Sequence, residues 1–582
     1  MSDIATPNPP AAPPAVKETK AQKNERLKLA KNPWEAWEEV RQFAREGRAS
    51  VLPEWAGIYF KWWGIYTQGD GIGVTGGVGG EGKVSEYFML RIGIPNGLLT
   101  SHQLRVIGDI TKKYARNLAD ITTRQNIQLH WLTIDSLVAV VDALTEIGLS
   151  PKGACGDVMR NVTGCPLAGL HGHELLDASP LALEVAHKLT ANPEFYNLPR
   201  KYKVSITGCP EWCSYPEIND TALTAIKRIN AAGEEEIGYT LRVGGGLSTE
   251  PHLGVRIPAF IPQDKAYDVI HAVITIFREQ TDLRENRTRA RIKYLFMRFG
   301  WTAESMLAAI EAKLGYKLDP SPVNEDTVPD DVYRDHIGVT RQKQPGLSSV
   351  GASVLGGRVS GDQLKQLADL ADEYGSGDLR ATIMQNIILV NVPNARTTEL
   401  VQALNGMGLK VEVTPFWRGA IACTGTEFCK LAIAETKAFS KWLTGEMEER
   451  LPGFDQQIKL HVAGCTNSCG QSWIADIGLE GKKIKKDGKM VDAFYFCVGG
   501  AVGKYANIAR QIGYRAAAED CPEAIENLLR AYLATREPGE DLRAYFARTN
   551  DETLRAQLAG AVVDPVERDP APVGAGRHAP GE

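Results

Sequence analysis

Nowhere in the 582 residues is there an apolar run long enough to cross a bilayer, and MSDIATPNPPAAPPAVKETK at the start has no apolar core of signal-peptide length. The expectation is a cytoplasmic protein with no membrane partner. Basic charge is not in excess either: 66 Lys and Arg stand against 71 Asp and Glu, a formal net charge of −5. No overall attraction draws nucleic acid to such a chain. Cysteine is scarce, with ten residues in all, and their clustering suggests metal ligation in place of a disulfide framework.

Nucleotide fingerprints are also missing. In GDGIGVTGGVGGEGK, Gly71, Gly73 and Gly76 fit G-x-G-x-x-G, and Gly77 to Lys83 fit G-x4-G-K. A phosphate loop needs a preceding strand, a following helix, and Ser or Thr after the lysine. Val84 takes that place and KVSEYFMLRIGIP reads as strand, so the segment is a glycine-rich loop or hairpin. With no flavin or nicotinamide motif, electrons for any redox chemistry must come from a protein donor.

A hydrophobic content of 43% and a charged content of 24% are those of an ordinary globular chain, and its length calls for three or four domains. Residues 1–22 and 556–582 read as disordered tails, and Asn24 to Arg48 reads as helix. The aromatic run WAGIYFKWWGIYTQ is assigned to packing, except Tyr66, whose hydroxyl needs a partner if buried.

The densest chemistry lies between Cys423 and Cys469. ACTGTEFCKLAI and HVAGCTNSCGQ place four cysteines as C-x5-C and C-x3-C, and Leu431 to Leu451 between them reads as an amphipathic helix. Four thiolates from two loops can hold a tetrahedral zinc or an iron–sulfur cubane. Zinc favours C-x2-C knuckles, so the wider turns favour the cluster. Gly464 and Gly470 suit close backbone approach to inorganic sulfide. A zinc-stabilised binding protein remains the alternative from another functional class, and visible colour separates the two.

The chain also repeats itself. Gln103 and Gln125–Asn126–Ile127 recur as Gln363 and Gln385–Asn386–Ile387 at an offset of 260, and KVSITGCPEWC from Lys203 recurs as KLHVAGCTNSC from Lys459 at 256. Near-constant offsets imply duplicated halves about a pseudo-twofold axis, with a site at their junction. The fold class is α+β (mixed α/β) with ferredoxin-like pieces, and segment 255–345, including a helix in FREQTDLRENRTRARIKYL, joins the halves. The halves differ where a site would need it: Arg124 in the first copy is Met384 in the second. Arg160 and the pair Lys201 and Lys203, which share one strand face, are further candidates. Two like charges on one face repel unless an anion lies between them.

ACTG..FC..AI.ETK and GC.NSCGQ resemble the cluster loops of ferredoxin-dependent nitrite reductases, within the siroheme nitrite and sulfite reductase family, over about residues 50–530. The resemblance implies siroheme and a [4Fe–4S] cluster as cofactors, reduced ferredoxin as donor, and three domains around a central cofactor site. It implies Cys423, Cys429, Cys465 and Cys469 as cluster ligands, with Cys469 bridging to the siroheme iron, and Thr466 standing where the family usually has proline. It implies that Arg124, Arg160, Lys201 and Lys203 surround the distal face, the arginines gripping oxygens and the lysines delivering protons. The expected domains are 23–165 and 331–415 as ferredoxin-like half-domains, 166–330 as the α/β siroheme-binding domain and 416–555 as the α/β domain carrying the cluster. Nitrite reduction to ammonium is the expected activity, with sulfite reduction to sulfide as the alternative. NSCGQ favours nitrite, whereas the Lys201–Lys203 pair looks more like sulfite reductases. Lys482, Lys483, Lys485, Lys486 and Lys489 could receive an acidic ferredoxin. Cys155, Cys165, Cys209 and Cys213 invite a second cluster, but the resemblance implies one, leaving these four as relics of the duplication or core residues.

Overall fold

The computed structural model describes residues 18–68, 86–230, 232–321 and 332–568. The glycine-rich segment 69–83 lies outside the described residues. Thr19 caps the first helix, Lys20–Ala30, with its side chain accepting from the Gln22 N–H. The single helix read from Asn24 to Arg48 is in fact broken. Asn32 caps a 3-10 turn at Pro33–Glu35, and a second helix runs Trp37–Glu46, because proline cannot continue the first helix. Trp55, Tyr59, Phe60, Trp62 and Trp63 are all buried, as packing required. At the other end, helix Asp551–Leu558 and the Asn550 N–H to Val566 carbonyl bond carry folded structure past residue 556, where the tail was expected.

Two five-stranded sheets form the ferredoxin-like centre, and each borrows its last strand from the other half. In the first, Ile65–Thr67, Phe88–Ile92, Ile127–Leu132 and Ala119–Ile121 lie side by side, completed by Arg358–Val359. In the second, Gly338–Arg341, Leu347–Ala352, Ile387–Pro393 and Asp378–Ala381 are completed by Leu98–Thr100. The registers are reciprocal: Arg358 faces Asp120, and Leu98 faces Arg380. The repeated Gln-Asn-Ile motifs seal this exchange. Gln125 donates to the Ala381 carbonyl while Gln385 donates to that of Ile121, and both glutamines take left-handed φ of 58° and 64°. Helices Ser101–Tyr114 and Gly361–Tyr374 cross against one another above the sheets.

Each half also carries a mixed sheet of parallel then antiparallel strands. The first runs Thr163–Gly164, Val204–Thr207, Thr221–Ile229, Glu235–Val243, Val255–Pro262 and Asp319–Pro320, and the second Ala420–Ala422, Leu460–Ala463, Ile477–Lys486, Lys489–Val498 and Arg510–Ala517. Equivalent buried ion pairs brace them, Arg291 with Asp220 and Arg543 with Asp476, each carboxylate also accepting a backbone N–H, from Lys203 and Lys459. Segment 255–345 is therefore not simply a connection. Strand Val255–Pro262 and helix Ala266–Glu279 belong to the first half's core, and the helix expected in FREQTDLRENRTRARIKYL is two 3-10 turns followed by the short helix Lys293–Arg298.

Candidate cluster and cofactor site

Strand Ala420–Ala422 ends at Cys423, a 3-10 turn at Gly425–Glu427 follows, and the chain reaches Cys429. The helix read from Leu431 begins only at Lys437, since residues 431–436 continue the loop. Thr436 donates to the Cys423 carbonyl at 2.6 Å, and the Gly464 N–H donates to the Cys423 sulfur at 3.1 Å. Backbone packs closely at Gly470, where a Cβ would stand 2.2 Å from the Val462 carbonyl oxygen. Cys465 and Cys469 sit on a loop whose Ser468 and Gln471 take φ of 50° and 61°. Burial, and then Cys469 as a neighbour, push the Cys429 thiol up to about 12 and that of Cys465 up to about 11.

Separation discriminates between metals. Zinc–thiolate bonds near 2.3 Å put tetrahedral sulfurs about 3.8 Å apart. Among the described residues, no three of these four sulfurs lie within 4.8 Å of one another. The donor set is too open for one zinc ion, which favours the cubane of the two centres that four thiolates can hold.

The second cysteine loop meets the first half at a cationic cleft. The Thr123 hydroxyl donates to the Cys469 carbonyl at 3.4 Å, which brings Arg124 beside the cluster loop. Arg124 donates to the Asn219 side chain at 2.9 Å and the Asn161 carbonyl at 2.6 Å, while its buried Nε has no partner. Burial, with Arg160, Arg291 and Arg91 outweighing Asp220, draws the guanidinium down to about 9. Arg160 forks onto the carbonyls of Ala154 and Gly156. Lys201 and Lys203 lie just before strand Val204–Thr207, Lys201 near enough to Cys469, Arg160 and Arg291 to feel their charges and Lys203 near enough to feel Arg124. Burial first, then Arg291 and Arg200, pulls Lys201 down to about 7 against the opposing Cys469. Burial, Arg124 and Lys201 draw Lys203 well below the ordinary lysine range. Crowded cations with an unpartnered guanidinium nitrogen are complementary to a bound anion.

All four cations of the sequence reading thus converge with the cluster loop. Arg91 was missed. It donates to the Gln128 side chain at 2.6 Å, the Ala154 carbonyl at 3.1 Å and the Cys155 sulfur at 3.0 Å. The repeat carried its signal, because the second copy has Gly351 at that place and Ile388 opposite Gln128. Tyr66 finds its partner in Cys155 and lies near Arg160 and Arg91, and its hydroxyl is pushed up, chiefly by burial.

Comparison with known proteins agrees with this geometry. The family model described as nitrite and sulphite reductase 4Fe-4S domain matches residues 155–318 and 415–562, and that of the nitrite/sulfite reductase ferredoxin-like half domain matches 81–147 and 340–407. The chain belongs to the nitrite and sulfite reductase family. It is an oxidoreductase of that family, 34% identical to the assimilatory ferredoxin-dependent nitrite reductase of Haloferax mediterranei over 91% of this chain and 92% of that one. It is 35% identical to sulfite reductase [ferredoxin] 1 of Mycolicibacterium paratuberculosis over 91% and 95%. The solved structure of Mycobacterium tuberculosis NirA superposes with a TM-score of 0.85 at 34% identity, covering 91% of the reductase and 97% of NirA. Among its described residues, no helix is long and apolar enough to cross a membrane. The lysine-rich segment of the reductase is the tip of the hairpin formed by Ile477–Lys486 and Lys489–Val498. Lys483 pairs with Asp492, and Lys486 pairs with Glu519 and Asp520.

Proposed function

We propose that this chain is a ferredoxin-dependent assimilatory nitrite reductase, carrying nitrite to ammonium at a siroheme coupled to a [4Fe–4S] cluster. The observation that carries the reading is the meeting of the Cys469 loop with the Arg124 loop, which sets a candidate cluster beside a cleft of cations. Cys423, Cys429, Cys465 and Cys469 would hold the cluster, and Cys469, on the loop that meets Thr123, would link it to the siroheme. Arg91, Arg124 and Arg160 would hold carboxylates of the tetrapyrrole and the substrate oxyanion, and the buried Arg124 Nε supports that fit. When bound, the coupled centres supply six electrons to the substrate.

The protein's own part is binding and proton delivery. Each N–O bond broken releases oxygen as water, so protons must arrive in the cleft. Lys201, drawn down to about 7, is poised to lose and regain a proton near neutrality. Lys203 is also drawn well below the ordinary lysine range, by burial, Arg124 and Lys201 itself. The lysine hairpin would receive reduced ferredoxin. Its ion pairs concentrate the steering charge on Lys482, Lys485 and Lys489. We assign the cytoplasm, where thiols stay reduced.

Sulfite is the second reading, favoured by the Lys201–Lys203 pair and by the likeness to the M. paratuberculosis enzyme. Steady-state reduction of nitrite and of sulfite with reduced ferredoxin decides between them. A higher kcat/KM for nitrite is expected. A preference for sulfite would mean that the lysine pair sets the substrate.

A further inference from the structure

The first half preserves a copy of the cluster loops, and it has a different geometry. Cys209 and Cys213 correspond to Cys465 and Cys469, and at an offset of 258 Cys165 corresponds to Cys423 and His171 to Cys429. The backbones agree. Trp212 and Tyr215 take left-handed φ of 51° and 52°, as Ser468 and Gln471 do, and the His171 N–H donates to Leu167 at 3.0 Å as the Cys429 N–H does to Gly425.

The donor atoms do not agree. In the second half no three sulfurs lie within 4.8 Å of one another, whereas in the first the Cys165 and Cys213 sulfurs and a ring nitrogen of His336 do. The Cys165 thiol hydrogen-bonds both Cys209 and Cys213, and the Cys209 sulfur is 3.8 Å from His171 Nδ1. His336 has its Nε2 buried without a hydrogen-bond partner and holds a left-handed φ of 57°. The segment carrying it is pinned on both sides, with Arg334 donating to the Glu211 carbonyl and Arg418 gripping Asp335 at 2.7 Å before it, and Arg418 donating to the Ile337 carbonyl at 3.3 Å after it. A histidine held that firmly, with one nitrogen unmet and a ring nitrogen within 4.8 Å of two thiols, is more than an apolar neighbour.

We propose that Cys165, Cys209, Cys213 and His336 hold a single zinc ion at the pseudo-twofold counterpart of the cluster. Three thiolates and one imidazole are the donor set of tetrahedral zinc; the Cys165 and Cys213 sulfurs and a His336 ring nitrogen already lie within 4.8 Å of one another, and Cys209, hydrogen-bonded to Cys165, is the fourth donor at hand. His171 contacts Cys209 from the outer side and orients that sulfur. Each thiol loses its proton to solvent as the ion binds, so uptake strengthens as pH rises. Leu167, Leu170, Ile388 and Val390 close the site with apolar surface, which keeps out a fifth, water ligand and makes the role structural.

Elemental analysis of the cofactor-loaded full-length protein should give about one zinc per chain beside about five irons. Zinc-edge X-ray absorption of the unmodified protein should show three sulfurs at about 2.3 Å and one nitrogen at about 2.0 Å. Cys209→Ser and His336→Ala should lose the zinc and keep the iron and the visible spectrum. An iron content of about nine without zinc would mean a second cluster and overturn the proposal. So would a metal-free protein grown in zinc-supplemented medium, whether its thiols proved free or joined in a disulfide.

Discussion

Lys201 is the residue on which the chemistry turns. It combines a place in the cleft with a pKa of about 7, and removing its proton without removing its bulk separates proton delivery from binding. Lys201→Met should leave the siroheme and cluster spectra intact and lower kcat by about 10²- to 10⁴-fold. A pH–rate profile should lose the limb belonging to the lysine pair. Equal turnover in the variant would remove the assignment. The same depressed pKa affects folding. In the folded protein Lys201 gives up its proton near pH 7, while in the unfolded chain it keeps it to about pH 10.4. Between those values the unfolded state binds more protons, so the contribution to stability grows as pH rises. Lys293, also drawn down to about 7 by burial and Arg291, acts in the same direction. Protein lacking siroheme should therefore show a higher urea midpoint as pH goes from about 7 to about 8, below the range where unfolded thiols titrate.

Among elements, the crossing of Ser101–Tyr114 with Gly361–Tyr374 is the most exacting contact. A Cβ on Gly108 would stand 2.7 Å from the Lys365 Cγ and 2.9 Å from the Gly361 carbonyl oxygen. A lysine stem can swing aside, but that carbonyl belongs to the first turn of the facing helix and cannot. Gly108→Ala would gain about 1 kcal/mol in helix propensity and lose about 1–3 kcal/mol to overpacking. A net destabilisation is expected, read from the urea midpoint with the m-value unchanged. The sequence made this pair of helices legible, because Gln103 and Gln363 lie at matching capping positions and each bonds the cap three residues back. It also made legible the difference between halves that marks Arg124. Arg91 obeys the same rule but lies outside the strongest repeat motifs. The exchanged strands Leu98–Thr100 and Arg358–Val359 were not legible at all. Strands of two or three residues carry no periodicity, and their partners lie far along the chain in the opposite copy. The helix expected from Leu431 failed for another reason: the cluster loop claims the backbone of residues 431–436, with the Ile433 N–H donating to Gly464 at 2.7 Å.

At the scale of the whole molecule, the duplication has produced one folding unit from two copies. Each half-sheet lacks a strand that only the other half supplies, and Gln125 and Gln385 each satisfy a carbonyl across the junction. Charge reinforces the exchange. Asp120 of the first half is buried against Arg358 and Lys437 of the second, whose charges help hold it ionised far below the usual carboxylate range against the cost of burial. Separated, the first half would keep that buried carboxylate without its cations, and leaving one partner of a buried pair costs about 3–5 kcal/mol. Phe428 adds an apolar tie, stacking on His130 with ring centroids 4.0 Å apart, so the cluster loop itself leans on the first sheet. A chain cut between its halves should behave accordingly. Either half expressed alone should aggregate or stay unfolded by far-ultraviolet circular dichroism. Co-expression of the two should recover soluble protein with the visible absorbance of the cluster. A first half that folded alone with its sheet intact would show that the exchanged strand is an ornament of the assembled state. The reciprocal register of Arg358 with Asp120 and of Leu98 with Arg380 argues against that, since such symmetry persists only where both exchanges are needed to complete the core.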